Sequence, residues 1–312
     1  MNQAADLYHI IAAGSGWVDR RDRGRLRFDG RDAASFLHAL LTNDILSLAS
    51  GQRVYAAYLT AQGRMIADLT ICRAPDFLLA DVPRALASAL ATRFDQLIFA
   101  EDVRVSDVSS AMFQITVIGP EATSVLADLS AGDALVVPGI DVGVPAVDVF
   151  GEAESFEGLI RRIERAGTVP VPHELYDALR IEAGRPAFGV DMTEETIPLE
   201  AGLLERAIST TKGCYVGQEV IIRILHRGGG RVARRLVRIA FDPSVTAPPP
   251  AGSALAAEGQ DVGRMTSSAI SPATAHVVGL GYVHRDSAEL GRKVIAHGGG
   301  HDLPGTIVGF AG

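Results

Sequence analysis

Between residues 53 and 82 three short apolar runs, 54–59, 65–73 and 77–82, follow one another at hairpin distances, with Ala61-Gln62-Gly63 and Ala74-Pro75-Asp76 between them. Runs of that length bounded by Gly, Pro and Asp are too short for helices, so the spacing predicts an antiparallel meander. A sheet of this kind needs a cover for its apolar face, and the flanks supply one. Upstream, Leu26 and Phe28 precede an Asp29-Gly30 turn, and Phe36, Leu37, Leu40 and Leu41 then recur at helical spacing. Downstream, Pro83 stands at a favourable first helical position ahead of Leu86, Leu90, Phe94 and Leu97.

The alternation continues. Strand-like runs at 103–108, 112–118 and 146–150 enclose a helix expected after Gly119-Pro120. Further helices are expected over 156–165 and from His173 to the stop at Ala183-Gly184-Arg185-Pro186. Strands punctuated by helices without a βαβ rhythm predict an α+β class, not a doubly wound sheet. Segment 190–212 reads as irregular. A helix is expected from Gly217, although Val220-Ile221-Ile222 also suits a strand. Beyond Gly228-Gly229-Gly230, short runs near 236–241, 262–266, 275–283, 293–296 and 306–310 predict a small β-barrel or sandwich.

Composition narrows the function. The chain has 312 residues, 47% of them hydrophobic, enough for at least two domains. No stretch approaches the roughly 20 apolar residues of a membrane helix. The N-terminal segment lacks the basic-then-apolar order of a secretion signal, so a cytoplasmic location without membrane contact is expected. The only two cysteines, Cys72 and Cys214, form neither a disulfide framework nor a zinc spacing, and no metal site is expected. A formal charge of −8 argues against direct nucleic-acid binding over the whole surface. It conceals a +6 segment, for Arg223, Arg227, Arg231, Arg234, Arg235 and Arg238 occur within 223–238 without an acid, leaving −14 elsewhere. Such a run is either a solvated face or a seat for carboxylates and phosphates.

No Walker lysine loop, HExxH, GxSxG or dinucleotide fingerprint is present. Three stretches remain. Cys214 lies between Gly213 and Gly217, two residues after Lys212 and just before a helix start, a setting that suits either a reactive thiol or a small packed residue in a tight turn. Asp68 interrupts an apolar strand and faces either solvent or a cleft, and Glu182 ends an apolar helix beside Gly184. His38, His173 and His226 have no partner spacing and read as structural.

The octapeptide Lys212-Gly213-Cys214-Tyr215-Val216-Gly217-Gln218-Glu219 resembles the KGCYxGQE motif of the YgfZ-type folate-binding proteins. These form a branch of the glycine-cleavage T-protein (aminomethyltransferase) superfamily whose eukaryotic relatives serve iron–sulfur cluster assembly. Leu40-Leu41-Thr42-Asn43-Asp44, Arg180-Ile181-Glu182-Ala183-Gly184, Ile197-Pro198-Leu199-Glu200 and Val278-Gly279-Leu280-Gly281-Tyr282-Val283 resemble that superfamily in its order. The resemblance implies a T-protein-like folate-binding body over 1–230, with lobe one about 1–50 plus 150–230 and lobe two about 51–149, then a C-terminal β-barrel over 231–312.

It further implies that tetrahydrofolate is the cofactor and that Glu182 pairs with the pterin ring. Lys212, Gly213, Tyr215, Gln218, Arg223 and Arg227 would help to hold the folate, with Cys214 and Asp68 as the chemical centre. Asp68 aligns with the second acid of the T-protein GGxxDD stretch, which here reads Gly63-Arg64-Met65-Ile66-Ala67-Asp68 and lacks the second Gly and the first Asp. If the missing acid is the working one, aminomethyl transfer is disfavoured. The implied function is a tetrahydrofolate-binding accessory protein, expected to be monomeric, that supports iron–sulfur client enzymes. The alternative is an aminomethyltransferase or demethylase that moves a one-carbon unit to tetrahydrofolate.

Overall fold

The computed structural model describes residues 3–127 and 134–312. The body opens with α1 (Gln3–Ala13), β1 (Gly16–Asp19), β2 (Arg23–Asp29) and α2 (Ala33–Leu40). The expected meander follows as β3 (Arg53–Leu59), β4 (Met65–Arg73) and β5 (Leu78–Pro83), then α3 (Ala87–Asp95) and β6 (Arg104–Asp107). Next come β7 (Met112–Ile118), β8 (Leu135–Pro138), β9 (Ala146–Glu152), α4 (Phe156–Arg165), β10 (Val169–Pro170) and α5 (His173–Glu182). The helix expected after Gly119-Pro120 is a single 3-10 turn, Ser124–Leu126, and any continuation into 128–133 lies outside the described residues.

Sheet one has the order β3-β4-β5-β2-β6 and sheet two the order β10-β1-β7-β9-β8. All pairings are antiparallel except β1 with β10. The chain therefore leaves β1 for sheet two and, after only Arg20-Arg21-Asp22, enters β2 of sheet one. The sheets thus draw strands from both sides of the expected lobe division, with β2 beside the meander and β7 beside β1.

Period-2 alternation decides what each face carries. On sheet one, Leu26, Phe28, Ala67, Leu69, Ile71, Leu78 and Ala80 pack under α2 and α3, where the Phe94 ring meets Phe28 at 5.5 Å and Tyr58 at 5.2 Å. On sheet two, Ile115, Val117 and Val149 pack under Leu159, Ile160 and Ile163 of α4. The opposite faces of the two sheets meet each other. Cys72 and Leu79 from one join Met112, Val137 and Phe150 from the other in an apolar cluster, and the rest of that seam is polar. Burial pushes the Cys72 thiol well above its usual value, as suits a packing residue.

The segment expected to be irregular contains only the short α6 (Leu204–Ala207), and α7 (Gln218–His226) is helical through Val220-Ile221-Ile222. A closed six-stranded barrel follows, ordered β11-β14-β13-β12-β15-β16, from β11 (Arg234–Phe241), β12 (Ala254–Ala257), β13 (Gln260–Ile270), β14 (Val277–His284), β15 (Lys293–Gly298) and β16 (His301–Phe310). Its core holds Val237, Ile239, Leu255, Met265, Val294 and Ile307. Among the described residues no helix is long and apolar enough to cross a membrane.

Candidate functional site

Asp68 points away from α2 and α3 into the seam between the sheets, only 5% exposed, so of the two orientations open to it the solvent-facing one is excluded. Its Oδ2 accepts the Tyr55 hydroxyl at 3.0 Å and its Oδ1 lies 3.5 Å from Arg23 Nη1. Arg23 also donates from Nε to Asp81 at 2.5 Å, and Gln114 Nε2 reaches across from sheet two to Asp81 at 3.1 Å. Further along, Arg53 of sheet one donates to Asp148 of sheet two at 3.2 Å, and the Thr116 hydroxyl donates to the same carboxylate at 2.6 Å.

Burial opposes each of these charges, and pairing decides which win. For Arg23 the two acids more than offset burial and hold the guanidinium above its ordinary value. For Asp148 burial wins over Arg53 and Thr116, and the carboxyl is pushed up. Tyr55 is raised well above a free phenol by burial and then by the Asp68 charge, so it remains a hydrogen-bond donor.

A buried acceptor in the seam stays unsatisfied, and a half-buried cation lies over Tyr55 without an acidic partner among the described residues. Gln114 Oε1 is buried with no hydrogen-bond partner among the described residues. The Arg206 guanidinium lies 5.1 Å from the Tyr55 ring centroid and makes no ion pair among the described residues, and burial followed by the nearby Arg185 and Arg53 charges lowers its pKa. An orphaned acceptor and an unpaired cation beside a held carboxylate can take a planar polar ligand with an anionic group.

The Cys214 loop sits at the rim of the same body. Lys212 Nζ donates to the backbone carbonyls of His38, Leu41 at 2.6 Å and Asn43 at 3.2 Å, satisfying carbonyls at the end of α2 that the helix leaves free. Burial pulls this amine down to about 8, against the opposing pull of the nearby Asp44 charge. The ammonium also lies 5.2 Å from the ring of Tyr215, which is buried beside Ala57, Leu59 and Ile221, and burial pushes the Tyr215 hydroxyl up to about 12. Thr42 completes the clasp by donating to the Ala207 carbonyl at 2.6 Å and accepting from the Ala57 amide at 2.8 Å. Between these anchors Cys214 is exposed. We expect Lys212→Met to cost about 1.5–3 kcal/mol, the range for hydrogen bonds to a charged group, read as a lowered melting temperature; an unchanged melting temperature would show that the clasp is not needed.

The two glycines of the octapeptide differ. Gly217 is left-handed at φ +83°, and a Cβ there would lie 2.5 Å from the Thr60 carbonyl oxygen, on the hairpin between β3 and β4. Gly213 has no positive φ and nothing within 4 Å of a Cβ. Gly217→Ala should therefore lose at least about 2 kcal/mol of stability, while Gly213→Ala should stay within about 0.5 kcal/mol of wild type in denaturant titration.

Of the other expected site residues, Gln218 opens α7, with its amide on the Tyr215 carbonyl at 3.2 Å, and Arg223 and Arg227 are exposed along and just past that helix with no ion pair among the described residues. Glu182 accepts from the barrel residue Ser271, at 2.9 Å to each carboxylate oxygen, and makes no hydrogen bond to Asp68, Gln114 or Arg206 among the described residues. The sequence reading missed Tyr55, Arg23, Asp81, Gln114, Asp148 and Arg206. The signal was available for Arg23 and its neighbours, since Arg23, Arg25 and Arg27 alternate with Gly24, Leu26 and Phe28 along one face of β2.

Residues 4–137 match the GCVT N-terminal domain, and residues 234–310 match the glycine cleavage T-protein C-terminal barrel domain. A chloroplastic protein of Arabidopsis thaliana named as a transferase is 29% identical over 93% of this chain and 69% of its own. An aminomethyltransferase of Rubrobacter xylanophilus is 29% identical over 88% of this chain and 78% of its own. The crystal structure of the glycine cleavage system aminomethyltransferase T from Bartonella henselae superposes with a TM-score of 0.86 at 22% identity, covering 98% of this chain and 88% of that one, and so shares the fold. With both of its characteristic domains matched in order over about two thirds of its length, the chain belongs to the glycine cleavage T-protein superfamily.

Proposed function

We propose that this protein binds tetrahydrofolate in the polar seam and supports iron–sulfur enzymes through the Cys214 thiol. The observation that carries the reading is the presentation of Cys214, an exposed thiol on a loop whose neighbours Lys212 and Tyr215 are anchored in the body. A cysteine kept for packing would be inside, as Cys72 is. In this reading Cys214 would act on a cluster held by a client.

The seam fits a reduced folate by its donor set. Its ring has amide-like donors that a carboxylate and a carbonyl oxygen can accept, and Asp68 and the unpartnered Gln114 Oε1 offer both. Arg206, which lacks an acidic partner among the described residues, would meet the negative charge of the glutamate tail. Bound tetrahydrofolate would supply a nitrogen able to carry a one-carbon unit. Calorimetric titration with 5-formyl-tetrahydrofolate tests this: wild type should bind, and Arg206→Met should bind at least tenfold more weakly without losing its fold. No heat of binding to wild type would overturn the folate reading.

A second reading, transfer of a one-carbon unit to tetrahydrofolate, is favoured by the two faces of β4. Ala67, which occupies the place of the first acid of the T-protein stretch, packs in the apolar core under α2 and α3. Asp68, which faces the seam, is the acid this chain retains.

A further inference from the structure

We propose that the basic cavity between the Gly228-Gly229-Gly230 loop and the barrel binds a compact phosphoanion of the diphosphate class. The cavity, about 390 Å3, is lined by Gly229, Gly230, Arg231, Arg235, Arg285 and Asp286, among others. Its volume lies within the roughly 300–1,000 Å3 of small-molecule sites. Asp68, Glu182, Arg206 and Cys214 line no part of it.

The fold sorts the six arginines of 223–238 by what each one meets. Arg234 pairs with Glu200 at 2.9 Å, Arg238 runs past Gly184, and Arg223 and Arg227 follow α7. Arg231 and Arg235 remain, and neither makes an ion pair among the described residues. The barrel adds a third guanidinium from beyond the run. The Arg285 amide donates to the Ala233 carbonyl at 3.1 Å and so ties the 3-10 turn Arg285–Ser287 to the entrance of β11. Against these three stands Asp286, whose carboxylate lies 3.3 Å from Arg285 Nε and 3.4 Å from His284 Nδ1. Arg285 and Asp286 are both more than half exposed, so water screens that pair, and the lining keeps a net charge of +2.

Two features keep donors free for a ligand. The Arg235 guanidinium carbon lies 3.9 Å from the ring centroid of Phe310, the last residue of β16. A guanidinium stacked on a ring uses its face there and keeps its in-plane N–H groups for an anion. Gly229 and Gly230 are successive left-handed residues, at φ +58° and +73°. The Gly230 amide donates to the Ile224 carbonyl at 2.9 Å, whereas the Gly229 amide has no hydrogen-bond partner among the described residues. A Cβ on either would meet nothing within 4 Å, so glycine serves the backbone conformation here and leaves open space on this side of the cavity.

Three guanidiniums gathered on one concave surface repel one another, and an anion of at least two charges removes that cost. A phosphoryl group carries such a charge near neutral pH and offers three acceptor oxygens in one compact unit, which guanidinium forks can take in pairs. A monocarboxylate would leave the lining positive, and a dicarboxylate divides its charge between separated groups. A diphosphate brings two phosphoryl units within reach of Arg231, Arg235 and Arg285 together. The site is independent of the folate reading, since it shares no residue with the seam or the Cys214 loop.

The test is calorimetric titration of the whole chain with pyrophosphate, with succinate as a dicarboxylate and decauridylate as an extended phosphodiester for comparison. We expect pyrophosphate to bind at least about tenfold more tightly than either, and Arg231→Gln, Arg235→Gln and Arg285→Gln each to weaken it at least about tenfold, the scale of one hydrogen-bonded charge. Arg161→Gln, which removes the same charge from α4, should bind pyrophosphate within about twofold of wild type, and saturating tetrahydrofolate should leave that binding unchanged. Absence of heat with pyrophosphate at millimolar concentration, unchanged affinity in all three cavity variants, or equally tight binding of succinate overturns the proposal. So does tighter binding of decauridylate, which would make the arginines a nucleic-acid track. Displacement of pyrophosphate by tetrahydrofolate also overturns it, and would make them a seat for the folate tail.

Discussion

Cys214→Ala should bind tetrahydrofolate within about twofold of wild type yet fail to restore iron–sulfur enzyme activity in cells lacking the native gene. The first half follows from position. Cys214 is exposed, its side chain makes no hydrogen bond to any described residue, and its loop is held by Lys212 and Tyr215, which the substitution leaves in place. Exposed substitutions of this kind change stability by about 0.5 kcal/mol or less, so the seam should keep its geometry. The second half follows from chemistry, since alanine retains the small size and loses only the sulfur ligand. Full rescue by the alanine variant would remove the thiol from the function and leave the octapeptide as a clasp. Loss of folate binding together with rescue would mean that the loop supports the seam, an effect that Lys212→Met, which weakens the anchor while keeping the thiol, should then reproduce.

The elements of the fold were legible where local periodicity is strong. The three meander runs, the helix over 156–165 and the five barrel runs all appear close to where their patterns place them. The shortest elements were not: β1 and β8 have four residues each, β10 has two, and β12 is Ala254-Leu255-Ala256-Ala257, whose alanines carry little strand preference. The run Val220-Ile221-Ile222 resolved as helix because left-handed Gly217 redirects the chain into α7 and only Ile221 of the three is buried, which is helical rather than alternating burial.

Site residues depended on contacts far away in sequence. Alternation along β4 separates Asp68 from Ala67 and Leu69, but whether its face meets water or a second sheet is decided by β7 and β9, which bring Gln114 and Asp148 from at least 45 positions downstream. Lys212 looked like a neighbour able to activate a thiol, and its three acceptors come from the end of α2, some 170 positions earlier. The resemblance makes Glu182 the pterin acid, and the Ser271 hydroxyl that donates to its carboxylate lies 89 positions later.

Asp68→Asn should weaken tetrahydrofolate binding at least tenfold while melting close to wild type. The reasoning rests on which partners the substitution disturbs. Arg23 keeps its shorter bond to Asp81 at 2.5 Å, and the Tyr55 hydroxyl can still donate to the amide oxygen of asparagine, so only the longer 3.5 Å pair to Arg23 is lost from the scaffold. The ligand loses more. An anionic acceptor makes hydrogen bonds roughly twice as strong as a neutral one, and asparagine also turns a second acceptor into a donor. The same variant separates the two functional readings. If the protein transfers a one-carbon unit, wild type incubated with tetrahydrofolate and an aminomethyl donor should form methylene-tetrahydrofolate, and Asp68→Asn should slow the turnover of saturated protein by about 10²-fold or more, the usual scale for a positioned acid or base. If it is an accessory factor, wild type forms no product and the variant loses affinity alone. A variant that binds folate as tightly as wild type would take Asp68 out of the site and leave its carboxylate as part of the framework that Arg23 and Tyr55 build between the sheets.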